Sequence, residues 1–116
     1  MSDAPIGIFD SGLGGLTAVK EMINVLPQEN IIYFGDTGRV PYGNRSRETI
    51  TKYAKQDASF LLSKGVKMVI AACGTVSSVA TNLKDSLPVP YTGVVLPTAT
   101  AAVNATRNGK IGVIGT

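Results

Sequence analysis

The chain has 116 residues, 44% of them apolar and 16% charged, with a net charge of +3; that suffices for one domain with a real core and rules out a disordered polar chain. It contains no histidine and a single cysteine, Cys73, which removes Ser-His-Asp and Cys-His chemistry, an internal disulfide and a zinc site, and fits a reducing cytoplasm. Lys and Arg are scattered without an aromatic-and-basic stripe, so no nucleic-acid partner is expected; Met1 to Pro5 does not read as a signal peptide, and no apolar run reaches membrane-spanning length.

In chain order, Ile6-Gly7-Ile8-Phe9 reads as a short strand, and Gly12 to Gly15 as a turn. Leu16, Val19, Ile23 and Leu26 recur at helical spacing until Pro27 stops them. Ile31 to Phe34 is the second strand, followed by a polar, Gly-rich loop from Gly35 to Asn44. Ser46 is placed to cap a long helix whose Ile50, Ala54, Ala58, Leu61 and Leu62 share one face, and Gly65 ends it. Met68 to Ala72 is the third strand, and Val76 to Leu87 reads as one helix with Val76, Val79, Ala80, Leu83 and Leu87 inward, broken by Pro88 and Pro90. Tyr91 to Val95 is a fourth strand, Pro97 opens a helix to about Thr106, and Lys110 to Ile114 reads as a fifth strand. Strict alternation of strand and helix predicts an α/β fold: a mostly parallel sheet with helices on both faces.

Three loops follow parallel strands and should therefore share one edge of the sheet. They are Asp10 to Gly15, Gly35 to Asn44, and Cys73-Gly74-Thr75. Open α/β sheets bind ligands beyond the carboxyl ends of their strands. Cys73, at a strand-to-helix junction, would face the positive end of a helix dipole, which favours the thiolate. Asp10 suits an ammonium group, and hydroxyls with free backbone N–H groups suit carboxylates, so the set fits a small zwitterion or diacid. The glycines at 12 and 14 also begin a dinucleotide fingerprint, and Asp36 stands where a ribose-binding acid would, but Thr17 occupies the third glycine's position. Each residue has a plainer reading as well. Asp10, Ser11 and Thr75 suit helix caps, Asp36 a brace for the long loop, Pro41 to Asn44 an ordinary turn, and the glycines a turn needing positive φ.

Three blocks, Ile8-Phe9-Asp10-Ser11-Gly12-Leu13-Gly14-Gly15-Leu16-Thr17, Gly35-Asp36-Thr37 through Val40-Pro41-Tyr42-Gly43, and Ala72-Cys73-x-Thr75, closely resemble the glutamate racemase family, in order and over the whole chain. The resemblance implies a cofactor-independent enzyme that interconverts L- and D-glutamate by two-base cysteine proton transfer. Its biological output would be D-glutamate for peptidoglycan. It further implies a cytoplasmic protein, a homodimer when complete, whose partner is the small molecule glutamate, with no nucleic acid, membrane, metal or cofactor such as pyridoxal phosphate. On that resemblance Cys73 and Asp10 are catalytic, and Asp10, Ser11, Pro41, Tyr42, Gly43, Gly74 and Thr75 bind substrate.

This chain departs from the family pattern at Gly74, where Asn usually follows the catalytic cysteine. The family's second cysteine has no counterpart here. Residues 1–109 are expected to form an amino-terminal lobe, with residues 110–116 beginning a second lobe, so the chain is expected to be a fragment. A related racemase acting on aspartate or a hydantoin-like compound, and a nucleotide-binding module, are the alternatives.

Overall fold

The computed structural model describes residues 3–115. Met1 and Ser2, at the start of the expected amino-terminal segment, and Thr116, the last residue of the expected second-lobe segment, lie outside them. The sheet is parallel and four-stranded, in the order β2-β1-β3-β4. Its strands are β1 (Ile6–Asp10), β2 (Ile31–Gly35), β3 (Met68–Ala71) and β4 (Tyr91–Thr92). The helices are α1 (Leu16–Val25), α2 (Arg47–Ser63), α3 (Gly74–Val79) and α4 (Val95–Ala105).

β1 is buried along its whole length, as a central parallel strand covered on both faces must be. Ile6 to Phe9 read as a continuous apolar run because that stretch is shielded from water, and Asp10 ends it at the sheet edge. The core forms where α2 lies over β1 and β2. Ile50, Ala54, Ala58 and Leu61 of α2 meet Phe9, Val69 and Ala71 in one apolar cluster. Gly7 permits this approach, because a Cβ there would stand 3.0 Å from Val66 Cγ1 and 3.2 Å from Leu61 Cβ. As expected, Ser46 caps α2: its side chain accepts the Thr49 N–H at 3.1 Å. Gly65, at φ +76°, carries the chain out of the helix.

Four elements differ from the sequence expectation. The helix expected from Val76 to Leu87 is α3 followed by a separate 3-10 turn, Leu83–Ser86. Ser78 Oγ donates back to the Gly74 carbonyl at 2.8 Å, and Ala80 leaves the helical ψ range. Local side-chain bonds of this kind compete with helix propagation. Val76, Ala80 and Leu83 are nevertheless buried. The fourth strand spans two residues instead of five. Val94 donates its N–H to Ser77 Oγ at 3.0 Å rather than to a neighbouring strand, and the chain turns there into α4, which starts before Pro97. The fifth strand does not form: residues 110–115 are irregular, and Val113 and Ile114 are 88% and 100% exposed. An apolar run becomes a strand only beside a partner, and none among the described residues reaches it. Finally, α1 buries none of its residues. Its main contact is with the edge strand β2, whose residues are half-buried, and Leu16 and Ile23 of its periodic face stay exposed.

Leu61 is fully buried against Gly7 and Val66. Leu61→Ala should therefore lower unfolding free energy by about 2–5 kcal/mol, read as a shifted urea midpoint with unchanged slope.

Candidate active site

The chain passes from β1 outward to β2, then returns to the other side of β1 to lay down β3. The order reverses between β1 and β3, and the crevice beyond the carboxyl ends at such a switch point is the natural ligand site of an open parallel sheet. Asp10 ends β1, and Cys73 lies two residues past the end of β3. A cleft of about 800 Å³ opens there. Its lining includes Asp10, Ser11 and Gly12 from the first loop, Cys73, Gly74 and Thr75 from the third, and Gly43 and Arg45 from the second.

The Asp10 carboxylate organises the first loop. Oδ1 accepts the Ser11 N–H at 2.7 Å, and Oδ2 accepts the Gly15 N–H and lies 3.5 Å from the Tyr33 hydroxyl. Asp10 thus braces the entry to α1 while also lining the cleft, combining the plainer reading with the functional one. Burial, the Asp10 charge and a hydrogen bond to Asp10 together raise the Tyr33 hydroxyl above its usual range. That hydroxyl stays protonated and donates to the Gly12 carbonyl at 3.1 Å.

Gly15 and Gly35 are required for space rather than for a left-handed turn. Among the described residues only Gly65 and Gly109 have positive φ. A Cβ at Gly15 would stand 2.8 Å from Asp10 Oδ2 and 2.9 Å from Ala72 Cβ, and one at Gly35 would stand 2.6 Å from the Gly12 carbonyl oxygen. Gly74 differs: it faces the cleft, and a Cβ there would meet nothing within 4 Å.

Cys73 is 5% exposed, with that exposure directed into the cleft. Its Sγ accepts the Val76 N–H at 3.5 Å as the cap of α3 and donates to Ser11 Oγ at 3.4 Å. The first and third loops are therefore in direct contact. The helix expected to act on the sulfur is short, six residues in all.

The second loop divides. Gly43 reaches the cleft, whereas Pro41 is exposed outside its lining and the Tyr42 side chain turns into the core, 1% exposed. The Tyr42 hydroxyl lies 2.7 Å from Asp57 Oδ2 and also contacts Asp36 Oδ2. Asp36 is buried too, and Arg39 grips it, donating from Nε at 2.8 Å. Asp36 thus braces the loop and does not face the cleft, away from where a ribose would have to sit.

Burial raises the Asp57 carboxyl to about 7, helped by the Asp36 charge and opposed by the Arg39 charge. Burial also raises Asp36, but the hydrogen bonds it accepts from Arg39 and Tyr42 and the Arg39 charge outweigh it and hold Asp36 below the usual carboxylate range. Sequence reasoning missed three residues here. Arg45 and Arg47 line the cleft, the Arg47 guanidinium donating to the Val79 carbonyl at 3.2 Å, and their positions on either side of the capping Ser46 were the available signal. Asp57 was the third: it falls on the stripe of Ile50, Ala54, Ala58 and Leu61, and a charge on an apolar helix face is itself a signal.

No helix among the described residues is long and apolar enough to cross a membrane, and no cluster of metal-ligating side chains occurs among them.

No protein-family model matches the chain. A glutamate racemase from Geobacter metallireducens is 54% identical over 112 residues, covering 96% of this chain and 42% of that protein. The solved glutamate racemase from Aquifex pyrophilus superposes with a TM-score of 0.92 at 50% identity, covering 97% of this chain and 45% of that one. A glutamate racemase from Francisella tularensis, solved in complex with D-glutamate, gives 0.82 at 44% identity over 90% of this chain and 40% of that one. The chain spans less than half the length of these relatives and corresponds to their amino-terminal part.

Two predictions follow from this geometry. Gly15→Ala, which forces a Cβ against Asp10 and Ala72, should cost about 1–3 kcal/mol, whereas Gly74→Ala should change stability by at most about 1 kcal/mol, toward greater stability; urea unfolding of both variants measures the contrast. Asp57 holds its proton in the native state to about pH 7 but loses it near about pH 4 when unfolded. Its contribution to stability should therefore be full in acid, fall as pH rises between those values and level off above them. Unfolding free energies across that range should show this decline, and Asp57→Asn should remove it.

Proposed function

The chain belongs to the glutamate racemase family, matching its amino-terminal part, and from that premise we propose that it forms one half of a cytoplasmic, cofactor-independent racemase of glutamate. Cys73 is the base on one face of the substrate. As thiolate it takes the α-proton of D-glutamate, leaving the bonding pair on the α-carbon, and a thiol supplied by a second lobe delivers a proton to the opposite face. In the reverse direction the Cys73 thiol is the donor. The product D-glutamate would enter peptidoglycan, and the complete enzyme would be a homodimer. Residues 110–116 would lead into the second lobe.

The observation that carries this reading is the position of the sulfur. The one thiol in the chain borders the switch-point cleft, 3.4 Å from the Ser11 hydroxyl and beside the Asp10 loop. The α-hydrogen of an amino acid is a poor acid, so removing it demands electrostatic help where charge develops. The positive charges of Arg45 and Arg47, two residues of the cleft lining, would favour a dianionic substrate. Ser11, Thr75 and the backbone at Gly43 and Gly74 line the same space. They would hold the two carboxylates, and Asp10 the ammonium. The Tyr42 side chain would act by fixing this loop rather than by touching the substrate.

The 116-residue chain alone, with one thiol, should not racemise D-glutamate at a robust rate, as followed by optical rotation. Continued by the carboxy-terminal part that its relatives carry, it should racemise glutamate and wash solvent deuterium into the α-position. Cys73→Ser should then reduce both rates by about 10²–10⁴-fold or more while leaving the fold intact by circular dichroism. Robust turnover by the short chain, or an active Cys73→Ser enzyme, would overturn the reading.

A further inference from the structure

The loop between β2 and α2 carries Gly43 and Arg45 to the cleft, and a single buried cluster holds it. A turn spans Tyr42 to Arg45, with the Arg45 N–H donating to the Tyr42 carbonyl at 3.0 Å. Where Tyr42 goes, Gly43 and Arg45 follow. The Tyr42 ring packs on Tyr53 with centroids 5.5 Å apart, and its hydroxyl sits between the carboxylates of Asp36 and Asp57. Arg39 closes the group. It donates to Asp36 and, at 3.1 Å, to Asp57 Oδ1, contacts Gln56 and stacks 3.9 Å from the centre of the Tyr53 ring.

Counting protons decides how the group is bonded. A phenol has one proton and two carboxylates want it. Asp36 is the one that stays ionised and accepts it, because Arg39 reaches it from two nitrogens, at 2.8 and 2.7 Å. The Tyr42–Asp57 contact then needs a proton of its own, and the carboxyl of Asp57, 1% exposed, is where it belongs. The titratable and charged groups facing Asp57 are Asp36, Arg39 and Tyr42 from the loop. On its own helix Tyr53 and Gln56 complete the group. β1, β2 and α3 bring Phe9, Phe34 and Val76 to the same core, and Cys73 joins it from the cleft side.

We propose that Asp57 is a proton-operated latch on the cleft loop. With its proton, Asp57 donates to the Tyr42 oxygen, Tyr42 donates to Asp36, and the turn bearing Gly43 and Arg45 is held in place. Once the proton leaves for solvent, Asp57 Oδ2 faces the lone pairs of Tyr42 with nothing between them, beside a second negative carboxylate. The turn then loosens. Asp57 is a positioning residue: it acts on the cleft through Tyr42 and touches no substrate. Burial of this carboxyl supports a midpoint near neutrality, about 7.

The test reads the loop directly and needs neither substrate nor turnover, so its failure is separate from failure of the racemase reading. In the 116-residue chain, the Asp57 carboxyl carbon is titrated by NMR while hydrogen exchange of the Arg45 amide is followed. Asp57 should ionise near neutral pH, and Arg45 protection should fall about tenfold with the same midpoint, the scale of one lost hydrogen bond. Asp57→Asn keeps a donor toward Tyr42 and an acceptor toward Arg39, and should keep Arg45 protected with no pH step. The wild-type titration alone suffices should that variant not fold. Ionisation of Asp57 in the ordinary carboxylate range, Arg45 protection unchanged through the Asp57 midpoint, or a step that survives in Asp57→Asn would each overturn the latch.

Discussion

The carboxylate of Asp10, folded back onto the N–H groups of Ser11 and Gly15, is the contact on which the cleft depends. It joins the end of the most buried strand to the start of a helix that buries almost nothing of itself. Charge-assisted bonds from backbone N–H groups are the strong class of hydrogen bond. Their strength matters here because α1 contributes little packing of its own. The pairing of Phe9 with Ala71 continues to Ala72, whose N–H donates to the Phe9 carbonyl at 2.9 Å. The first and third loops therefore leave the sheet side by side, and the Cys73 to Ser11 contact follows from strand register rather than from any attraction between sulfur and hydroxyl.

The second loop is held by a different kind of contact. It has no strand or α-helix of its own to fix it, only a short 3-10 turn, Thr37–Arg39. Its anchor is a set of buried polar groups that would be costly if any were left unpaired. An apolar anchor of the same volume would have served stability as well, because buried ion pairs gain little net energy. What the polar set adds is direction: the Tyr42 hydroxyl has one place to go, and Gly43 emerges at the cleft as a result. Rigid strand ends thus carry the sulfur and the carboxylate, and a loop pinned from below carries the cationic rim.

How far the sequence alone carried depended on whether a residue's surroundings were local. β1, β2, β3 and α2 were legible because apolar periodicity and the Ser46 cap are written within each segment. Asp10 and Cys73 were legible because parallel strands deliver their following loops to one edge. The fate of Tyr42 was not, because its partners Asp36 and Asp57 lie 6 and 15 residues away and meet only once α2 is laid over the sheet. The exposure of α1 escaped for the same reason: a periodic face says that a helix can be covered, not that something covers it. The run from Lys110 to Ile114 has the composition of a strand, yet a strand is made by its neighbour. The break at Ala80 was closer to readable, since Ser77, Ser78, Thr81 and Asn82 all have side chains able to bond the local backbone.

The glycines sharpen the point about what a motif encodes. A Gly-rich turn after a first strand suggests phosphate binding, and its usual physical rationale is a left-handed backbone or a bare approach to the ligand. Here Gly15 and Gly35 are bare because protein, not ligand, occupies the space: Asp10 and Ala72 press on one, the Gly12 carbonyl on the other. A dinucleotide loop would keep its amides free for pyrophosphate, whereas this loop commits the Ser11 and Gly15 amides to Asp10. The same letters therefore build a carboxylate-centred floor, and what remains open above it, at Gly12, Gly14, Gly43 and Gly74, is room for a small ligand. A cleft with a thiol at its border and two arginines in its lining suits a compact anion.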